Sequence, residues 1–253
     1  MSSSFLSIST IFAANLLSLI FAKNKYLHLF FDLDRTIWDF DRNSLETFRD
    51  IFLKFDLKSK GIPGLEEFRT VFKEHNDMLW SYYRKGEIKK EVLSVRRFEM
   101  TLNSFGIDDL LLAAMIADDY LTIRHDRIFL FPHAHETLEY LHHKYDLHII
   151  TNGFEEVQFA KLSMAGLGCY FRTVTTSEEA GVKKPDPFIF ELAMHKAGAL
   201  YHNSIMIGDD VEVDILGARN AGMDQIHFNY HKEENHAGAN LEIEDLKELT
   251  KFF

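Results

Sequence analysis

The sequence has few of the residues that cross-link a chain or interrupt it. Cys169 is the single cysteine among 253 residues, which excludes an internal disulfide and a zinc site built on cysteine pairs. Only 4 prolines occur, and no proline-rich linker, internal repeat or low-complexity tract separates one part of the chain from another. Basic residues are also scarce: 28 Lys and Arg against 39 Asp and Glu give a formal net charge of −11. This deficit argues against a protein that binds nucleic-acid polymers through their phosphates.

The composition is otherwise that of a globular protein. Hydrophobic residues make up 46% and charged residues 26%, so the chain can bury a sizeable core and wholesale disorder is excluded. Its length suits one large domain, or a core domain that carries a smaller insert. A single cysteine fits a reducing compartment, and we expect a cytoplasmic protein.

The N-terminal segment is unlike the rest. Phe5–Ala22 contains no charged residue and approaches the minimum length of a membrane span, yet it contains Ser, Thr and Asn and no Lys or Arg precedes it. Three interpretations remain open: a weakly folded extension or mis-assigned start, an uncleaved anchor or signal, and a packed amphipathic helix. Apart from this segment, nothing in the sequence predicts contact with a membrane.

Short apolar runs alternate with helical patterns along most of the chain. The runs are typical of buried parallel strands, and the segments between them have helical spacing. This alternation predicts an α/β fold, a doubly wound, Rossmann-like and mostly parallel sheet. The predicted strands are Leu27–Phe31, Leu147–Thr151, Phe171–Thr175, Ser204–Ile207 and Gln225–Phe228, and the helices around them are His133–Tyr145, Val157–Ala165, Pro187–Lys196 and Val211–Ala221.

A long helical stretch separates the first predicted strand from the second. Its helices are expected at Ser44–Phe55, Gly64–Lys85, Lys89–Phe105 and Asp108–Arg124, with Ser44 and Asp108 as start signals. An insert at this point of an open α/β sheet should lie over the carboxyl ends of the strands, where such sheets bind ligands. We therefore predict an N-terminal extension over residues 1–25, a core domain over residues 26–39 and 125–253, and a helical cap domain over residues 40–124.

Acidic residues directly follow two of the apolar runs. Asp32 and Asp34 come after the first run, and Gly208, Asp209 and Asp214 come at or after the fourth. Carboxylates could cap backbone amides here, which is the expected role of Asp210, but strand ends that adjoin in the sheet would bring Asp32, Asp34 and Asp209 together. Several oxygen ligands favour Mg²⁺, and a divalent cation would offset the repulsion among them.

Two further strand ends carry groups that suit a phosphate. Thr151-Asn152-Gly153 offers a hydroxyl and backbone N–H groups, and Lys184 stands in a loop just before a predicted helix. Taken alone, the first segment is typical of a turn and the second of a solvated lysine. All four motifs in this order, each after a strand, indicate a phosphate site.

These motifs resemble those of the haloacid-dehalogenase-like superfamily of phosphohydrolases. The resemblance covers roughly residues 26–230, and the insert is similar to the family's C1-type cap. Within the superfamily the chain looks most similar to 5′-nucleotidases that act on pyrimidine and noncanonical nucleotides. The pattern is carried by Asp32, Asp34 and Thr36, by Thr151, by Lys184 to Pro187, and by Gly208, Asp209 and Asp214. Arg35 departs from the glycine that many members carry.

The resemblance implies a Mg²⁺-dependent phosphomonoester hydrolase. Asp32 would attack phosphorus and form an aspartyl-phosphate, and Asp34 would act as general acid and then as general base. Asp32, the Asp34 carbonyl oxygen and Asp209 would hold the metal, with Asp214 in a supporting position. Thr151, Asn152, Gly153 and Lys184 would bind the phosphate.

The substrate is predicted less closely than the reaction. A nucleoside 5′-monophosphate is expected; the alternatives are phosphoglycolate, a sugar phosphate, a phosphomutase reaction and, less in keeping with Asp34, dehalogenation. The aromatic and cationic residues Trp80, Tyr82, Tyr83 and Arg84 suit base stacking, but such residues more often belong to a core or surface. His133, His135, His142 and His143 have the spacing of a solvated helix face rather than of a metal site.

Overall fold

The computed structural model describes residues 25–122, 128–232 and 238–253. Its described residues separate into two compact units. The first contains residues up to Trp38, Leu130–Glu155 and the chain from Gly166 onward, and the second contains Asp39–Phe129 and Glu156–Ala165. No helix within the described ranges has the length and apolar character needed to span a membrane. The three interpretations of Phe5–Ala22 concern residues outside those ranges.

The first unit is built on a parallel sheet of six strands, taken over the described residues, in the order β3-β2-β1-β4-β5-β6. Every neighbouring pair in this order is parallel, so the predicted doubly wound α/β fold is confirmed. The strands are β1 His28–Phe31, β2 Asp146–Thr151, β3 Phe171–Thr176, β4 Ser204–Gly208, β5 Asp224–Phe228 and β6 Leu241–Ile243.

The α-helices of the first unit lie in connections between its strands. Val211–Leu216 forms a wide π-helical turn and not the α-helix that the sequence predicted for the whole segment from Val211 to Ala221. The α-helices of both units, numbered along the chain, are α1 Phe40–Lys54, α2 Leu65–Arg84, α3 Lys90–Ser104, α4 Leu110–Leu121, α5 Ala134–His142, α6 Glu155–Met164, α7 Ser177–Ala180, α8 Pro187–Ala197 and α9 Gly217–Asn220. Tyr201–Asn203 and Leu246–Lys251 are 3₁₀-helices.

A continuous apolar layer packs α8 and α9 against the middle of the sheet. Phe30 of β1, Ile150 of β2 and Met206 of β4 share one face of the sheet and are completely buried. Ile189 and Phe190 of α8 cover them. Because alternate side chains of a strand point to the same face, this layer fixes the positions of the three strands and therefore of their carboxyl ends.

The second unit is helical. Helices α1 to α4 follow β1 in the chain, and α6 belongs to the same unit. Its core is aromatic, with Phe48, Phe72 and Phe98 in ring contact. The predicted helix start at Ser44 is wrong: α1 begins at Phe40 because the Asp39 carboxylate accepts a hydrogen bond from the Arg42 amide and caps the helix there. In α4 the cap is Asp109, one residue after the predicted Asp108.

Candidate active site

The register of the sheet brings the predicted acidic residues to one edge. Phe31 of β1 lies level with Ile149 of β2 and with Ile207 of β4. The next residue, Asp32, donates its amide to the Ile207 carbonyl oxygen at 2.9 Å, so it stands at the junction with β4. Asp209 begins the loop immediately after β4. The two aspartates are therefore neighbours at the carboxyl end of the central strands.

Lys184 lies at the centre of this edge. Its ammonium donates to Asp32 Oδ1 at 2.6 Å, to Asp214 Oδ1 at 2.6 Å and to the Ile150 carbonyl oxygen at 2.8 Å. The lysine is 1% exposed and Asp214 is equally buried. An ammonium group has three protons, and all three are used by these acceptors. Lys184 thus links β1, β2 and the turn after β4.

The carboxylates of Asp32, Asp209 and Asp214 face one another, with oxygen atoms within 4.8 Å of each other. Thr36 donates its hydroxyl to Asp209 Oδ1 at 3.3 Å. When ionised, three carboxylates against one ammonium leave a formal charge of −2 in a largely buried place. Hard oxygen donors with an excess negative charge of this size suit a divalent cation such as Mg²⁺.

Burial and mutual repulsion act on the ionisation of these groups. Burial, opposed mainly by Lys184, raises the pKa of Asp32 to about 7. Burial, together with Asp214 and Asp32, raises the pKa of Asp209 well above its usual range. Burial also raises the pKa of Asp214, against the effect of Lys184. For Lys184, burial disfavours the charge, but the carboxylates of Asp214 and Asp32 outweigh it and raise the pKa. The ammonium of Lys184 therefore does not fully offset the repulsion among the three carboxylates.

The shape of the turn after β4 depends on Gly208. A Cβ atom at this position would lie 2.4 Å from a carboxylate oxygen of Asp214, so a larger residue would displace that side chain. Asp210, in turn, accepts hydrogen bonds from the amides of Glu212 and Val213, which confirms its predicted capping role. In the Gly-Asp-Asp sequence, Asp209 therefore faces the site and Asp210 fixes the backbone of the turn.

The loop after β2 carries the other predicted phosphate ligands. Thr151 is 1% exposed, and its hydroxyl oxygen accepts a hydrogen bond from the Gly153 amide at 3.1 Å. The Asn152 side chain bonds the Lys184 backbone twice, accepting from its amide at 2.8 Å and donating to its carbonyl oxygen at 2.9 Å. Asn152 thus positions the lysine. No signal in the sequence could have shown this role, because the two residues are 32 positions apart.

The loop after β1 has a strained residue. Arg35 adopts a left-handed backbone with φ of 65°, and its amide donates to the Trp38 carbonyl oxygen at 2.8 Å. Glycine adopts this conformation without an energetic cost, so a glycine at this position would not be strained. The arginine guanidinium opposes the rise in the pKa of Asp209. Asp34, the residue before it, is partly exposed and forms a backbone bridge with Trp38.

The aromatic and basic residues singled out in the helical unit separate into core and surface. Tyr83 is buried and its ring contacts Trp80, whereas Tyr82 and Arg84 are exposed. Arg97, which the sequence does not distinguish from its neighbour, is 3% exposed and lies against the Tyr120 ring. Arg96 is exposed and pairs with Glu99.

Known proteins resemble the chain over most of its length. It is 32% identical to the pyrimidine 5′-nucleotidase PynA of Streptococcus pneumoniae over 216 residues, which cover 85% of this chain and 88% of PynA. It is 30% identical to the pyrimidine 5′-nucleotidase YjjG of Escherichia coli over 215 residues, 85% of this chain and 91% of YjjG. Both similarities confirm the predicted enzyme class, a hydrolase similar to the 5′-nucleotidases.

A solved structure has the same fold. The crystal structure of the HAD-hydrolase YfnB of Bacillus subtilis, bound to magnesium, superposes with a TM-score of 0.79. The match covers 90% of this chain and 98% of YfnB at 26% sequence identity. It confirms the α/β architecture derived from the strand pattern.

A family model described as haloacid dehalogenase-like hydrolase matches residues 29–228. This span contains all four predicted motifs, from Asp32 to Asp214. Together with the relatives, it confirms the predicted family: the chain belongs to the haloacid dehalogenase-like hydrolases.

Proposed function

We propose that the protein is a Mg²⁺-dependent phosphatase that hydrolyses nucleoside 5′-monophosphates through an aspartyl-phosphate on Asp32. The observation that carries this proposal is the meeting of the Asp32, Asp209 and Asp214 carboxylates, of which Asp32 and Asp214 pair with the buried ammonium of Lys184. The similarity to two pyrimidine 5′-nucleotidases supports the substrate class.

Asp32 is the proposed nucleophile. Its Oδ1 atom is fixed by Lys184, and among the described residues no donor contacts its Oδ2 atom. The free oxygen attacks phosphorus, an Asp32 O–P bond forms, and the bond from phosphorus to the ester oxygen breaks. Fixing one oxygen leaves the other oriented for this attack, which reduces the entropy cost of the step.

Asp34 is the proposed general acid and base. It lies two residues after the nucleophile, is partly exposed and is held by the bridge to Trp38. It donates a proton to the departing alkoxide and then removes one from the water that attacks the aspartyl-phosphate. This second displacement releases inorganic phosphate and restores the Asp32 carboxylate.

The residues present fit Mg²⁺. Asp32, Asp209 and the Asp34 carbonyl oxygen would hold the ion, and Asp214, which accepts from Lys184 and from the Asp210 amide, supports the cluster. When bound, the cation supplies positive charge against the phosphate oxygens. Thr151, Asn152, Gly153 and Lys184 are the proposed ligands of the phosphate, through the hydroxyl, backbone N–H groups and the ammonium.

The test is a screen for phosphate release with Mg²⁺ across pyrimidine and purine nucleoside monophosphates, sugar phosphates and phosphoglycolate. We expect the highest kcat/KM with a nucleoside monophosphate. Preference for a sugar phosphate or phosphoglycolate would overturn the nucleotide assignment and leave the phosphatase assignment standing. Release of halide from a 2-haloacid without phosphate release would overturn both.

The nucleophile is tested with Asp32→Asn. This variant should lose at least about 10⁴-fold in kcat on every phosphate ester, as loss of a nucleophile does in other enzymes. Asp108→Asn is a matched control, because Asp108 is exposed and forms no side-chain hydrogen bond or ion pair with any residue of the described ranges. Turnover by Asp32→Asn within tenfold of the control would contradict the assignment.

A further inference from the structure

A second cluster of metal-ligating side chains lies at the C-terminal end of α5. Glu139, His142 and His143 each offer a ligand atom, and these atoms lie within 4.8 Å of one another. The His143 Nε2 atom is 3.1 Å from Glu139 Oε1. The side chains of His143 and Glu139 are 68% and 57% exposed, so a hydrated ion can reach them.

The helix itself brings these residues together. Positions 139, 142 and 143 are separated by three and four residues, and side chains at this spacing are neighbours on a helix surface. The imidazole rings of His142 and His143 are 4.0 Å apart between centroids. Sequence spacing alone gives histidines on a solvated helix face; the structure adds the carboxylate of Glu139 beside them.

The orientation of His142 is fixed by its backbone partner. Its Nδ1 atom is 3.2 Å from the Leu138 carbonyl oxygen. Because a carbonyl oxygen only accepts, Nδ1 carries the proton and Nε2 carries the lone pair. A hydrogen bond from the other ring nitrogen to a carbonyl is the arrangement that orients histidine ligands in metal sites.

Tyr170 supports the cluster from a different part of the chain. Its ring contacts the His142 ring with centroids 5.2 Å apart, and its hydroxyl lies 3.2 Å from His135 Nδ1. Burial and the hydrogen bond to Glu139 are among the causes that raise the pKa of Tyr170. Glu139 thus has a hydrogen-bonding partner that orients its carboxylate, as is usual behind a metal ligand.

We propose that Glu139, His142 and His143 bind a borderline divalent cation of the Zn²⁺ type, with water completing the coordination. Two imidazoles and one carboxylate are a ligand set that Zn²⁺ takes in open sites, whereas Mg²⁺ prefers oxygen ligands alone. The negative end of the α5 dipole adds to the attraction for a cation.

This site is separate from the catalytic aspartates. Helix α5 ends at His142, and β2 then runs from Asp146 to Thr151, toward the edge that carries Asp32. Six residues of strand span about 20 Å, so the two sites lie at opposite ends of the sheet. Removing ligands at one of them should leave metal binding at the other intact.

The test is calorimetric titration of the full chain with ZnCl₂ at pH 7.5 in saturating Mg²⁺, which occupies the proposed catalytic site. We expect one Zn²⁺ equivalent that is lost in the double variant His142→Ala/His143→Ala. Glu139→Gln should weaken this binding by at least about tenfold, because the loss of a group that only supports a ligand already costs a metal site about 10–100-fold. An unchanged dissociation constant in the double variant, or no binding by the original chain, would overturn the proposal.

Two matched controls separate this site from other ligands. His202→Ala removes an exposed histidine elsewhere in the same unit, and Cys169→Ser removes the only thiol, which donates to the Gly166 carbonyl oxygen. Both should keep the Zn²⁺ equivalent; its loss in Cys169→Ser would assign the ion to the cysteine instead. Asp209→Asn should also keep it, and loss there would assign the Zn²⁺ to the catalytic aspartates.

Zinc should also raise the midpoint of thermal unfolding in the original chain and leave that of the double variant unchanged, since only the folded helix presents all three ligands. Because His143 is exposed and His142 is only half-buried, the double variant should fold, which a circular dichroism spectrum checks. A folded double variant that zinc still stabilises as much as the original chain would contradict the assignment.

Discussion

Lys184 donates all of its ammonium protons inside the candidate site, two of them to the carboxylates of Asp32 and Asp214. Removing one partner of such a buried set leaves unpaired charge, which costs about 3–5 kcal/mol. Lys184→Met should therefore lower the free energy of unfolding by about that amount. It should also lower kcat by about 10²–10³-fold, the usual effect of losing one donor to the reacting oxygens.

A double variant separates the two effects of Lys184. Asp214→Asn in the Lys184→Met background removes one of the carboxylates left without a cation, so urea unfolding should show part of the stability regained. Activity should not return, because the ammonium beside Asp32 is still missing. Lys184→Met as stable as the original chain would show that the lysine does not hold the carboxylates together.

His148 gives the first unit a sensitivity to acid that is independent of the candidate site. Burial, then His28 and Arg172, lower the pKa of His148 to about 3. Its ring stacks on Phe30, and its Nδ1 atom is hydrogen-bonded to the Thr173 hydroxyl. Its Nε2 atom faces His28, which lies near Asp146. The folded protein therefore keeps this histidine neutral, while the unfolded chain takes up a proton near pH 6.5.

Because the unfolded state binds more protons at this histidine, the stability that His148 contributes falls as the pH drops below 6.5. At about 1.4 kcal/mol per pH unit, His148 should contribute a loss of about 2 kcal/mol at pH 5. His148→Gln should lose less stability than the original chain between pH 7 and pH 5 in urea unfolding. His202→Gln, at an exposed position, is the control, and equal losses in all three proteins would contradict the prediction.

The elements of the fold were predictable where one residue pattern dominates. Buried parallel strands are continuous apolar runs, so β1 to β5 appear within one residue of their predicted bounds. Strand β6 was missed because it has three residues and follows no apolar run. The start of α1 was misplaced because serine and aspartate both cap helices, and only the fold decides that Asp39 does so.

The candidate site follows the same rule. Most of its residues could be listed from the sequence because they come soon after a strand, and parallel strands bring such residues to one edge. The bonds of Lys184 could not, since its partners Asp32 and Asp214 are 152 and 30 residues away. Two further features depend in the same way on packing between distant segments. They are the hydrogen bonds of Asn152 to the Lys184 backbone and the close packing around Gly217.

Helix α9 approaches the loop of Lys184 through a glycine. A Cβ atom on Gly217 would lie 2.9 Å from the Phe190 ring and 3.0 Å from Pro185 Cα. Gly217→Ala should push the loop that carries Lys184 and cost about 1–3 kcal/mol of unfolding free energy, as overpacking does. It should also lower kcat, because the ammonium moves away from Asp32.

Gly168→Ala is the matched control for this helix contact. A Cβ atom at Gly168 would meet nothing within 4 Å, and its backbone is not left-handed. Urea unfolding and phosphate release should be unchanged in this variant. If Gly217→Ala behaves like Gly168→Ala in both measurements, the close approach of α9 does not position the lysine.

At the scale of the whole molecule, the carboxylates that are proposed to bind the metal lower the stability of the metal-free protein. The carboxylates of Asp32, Asp209 and Asp214 face one another with a single buried lysine among them. Their repulsion opposes folding when no cation is bound, and a cation that binds only the folded state reverses it. At a concentration one hundred times its dissociation constant, Mg²⁺ should stabilise the fold by about 2.7 kcal/mol.

Asp209→Asn tests this relation, because it should change both the stability of the metal-free protein and the stability gained from Mg²⁺. The neutral amide removes one repelling charge and keeps an acceptor for the Thr36 hydroxyl, so in EDTA the variant should unfold at a temperature equal to or above that of the original chain. In Mg²⁺ the original chain should gain several degrees and the variant little, so the order of the two unfolding midpoints should reverse. Differential scanning calorimetry with and without Mg²⁺ measures both quantities on the same samples. A variant that is destabilised in EDTA and still gains the full increment from Mg²⁺ would show that Asp209 supports the fold and does not hold the ion.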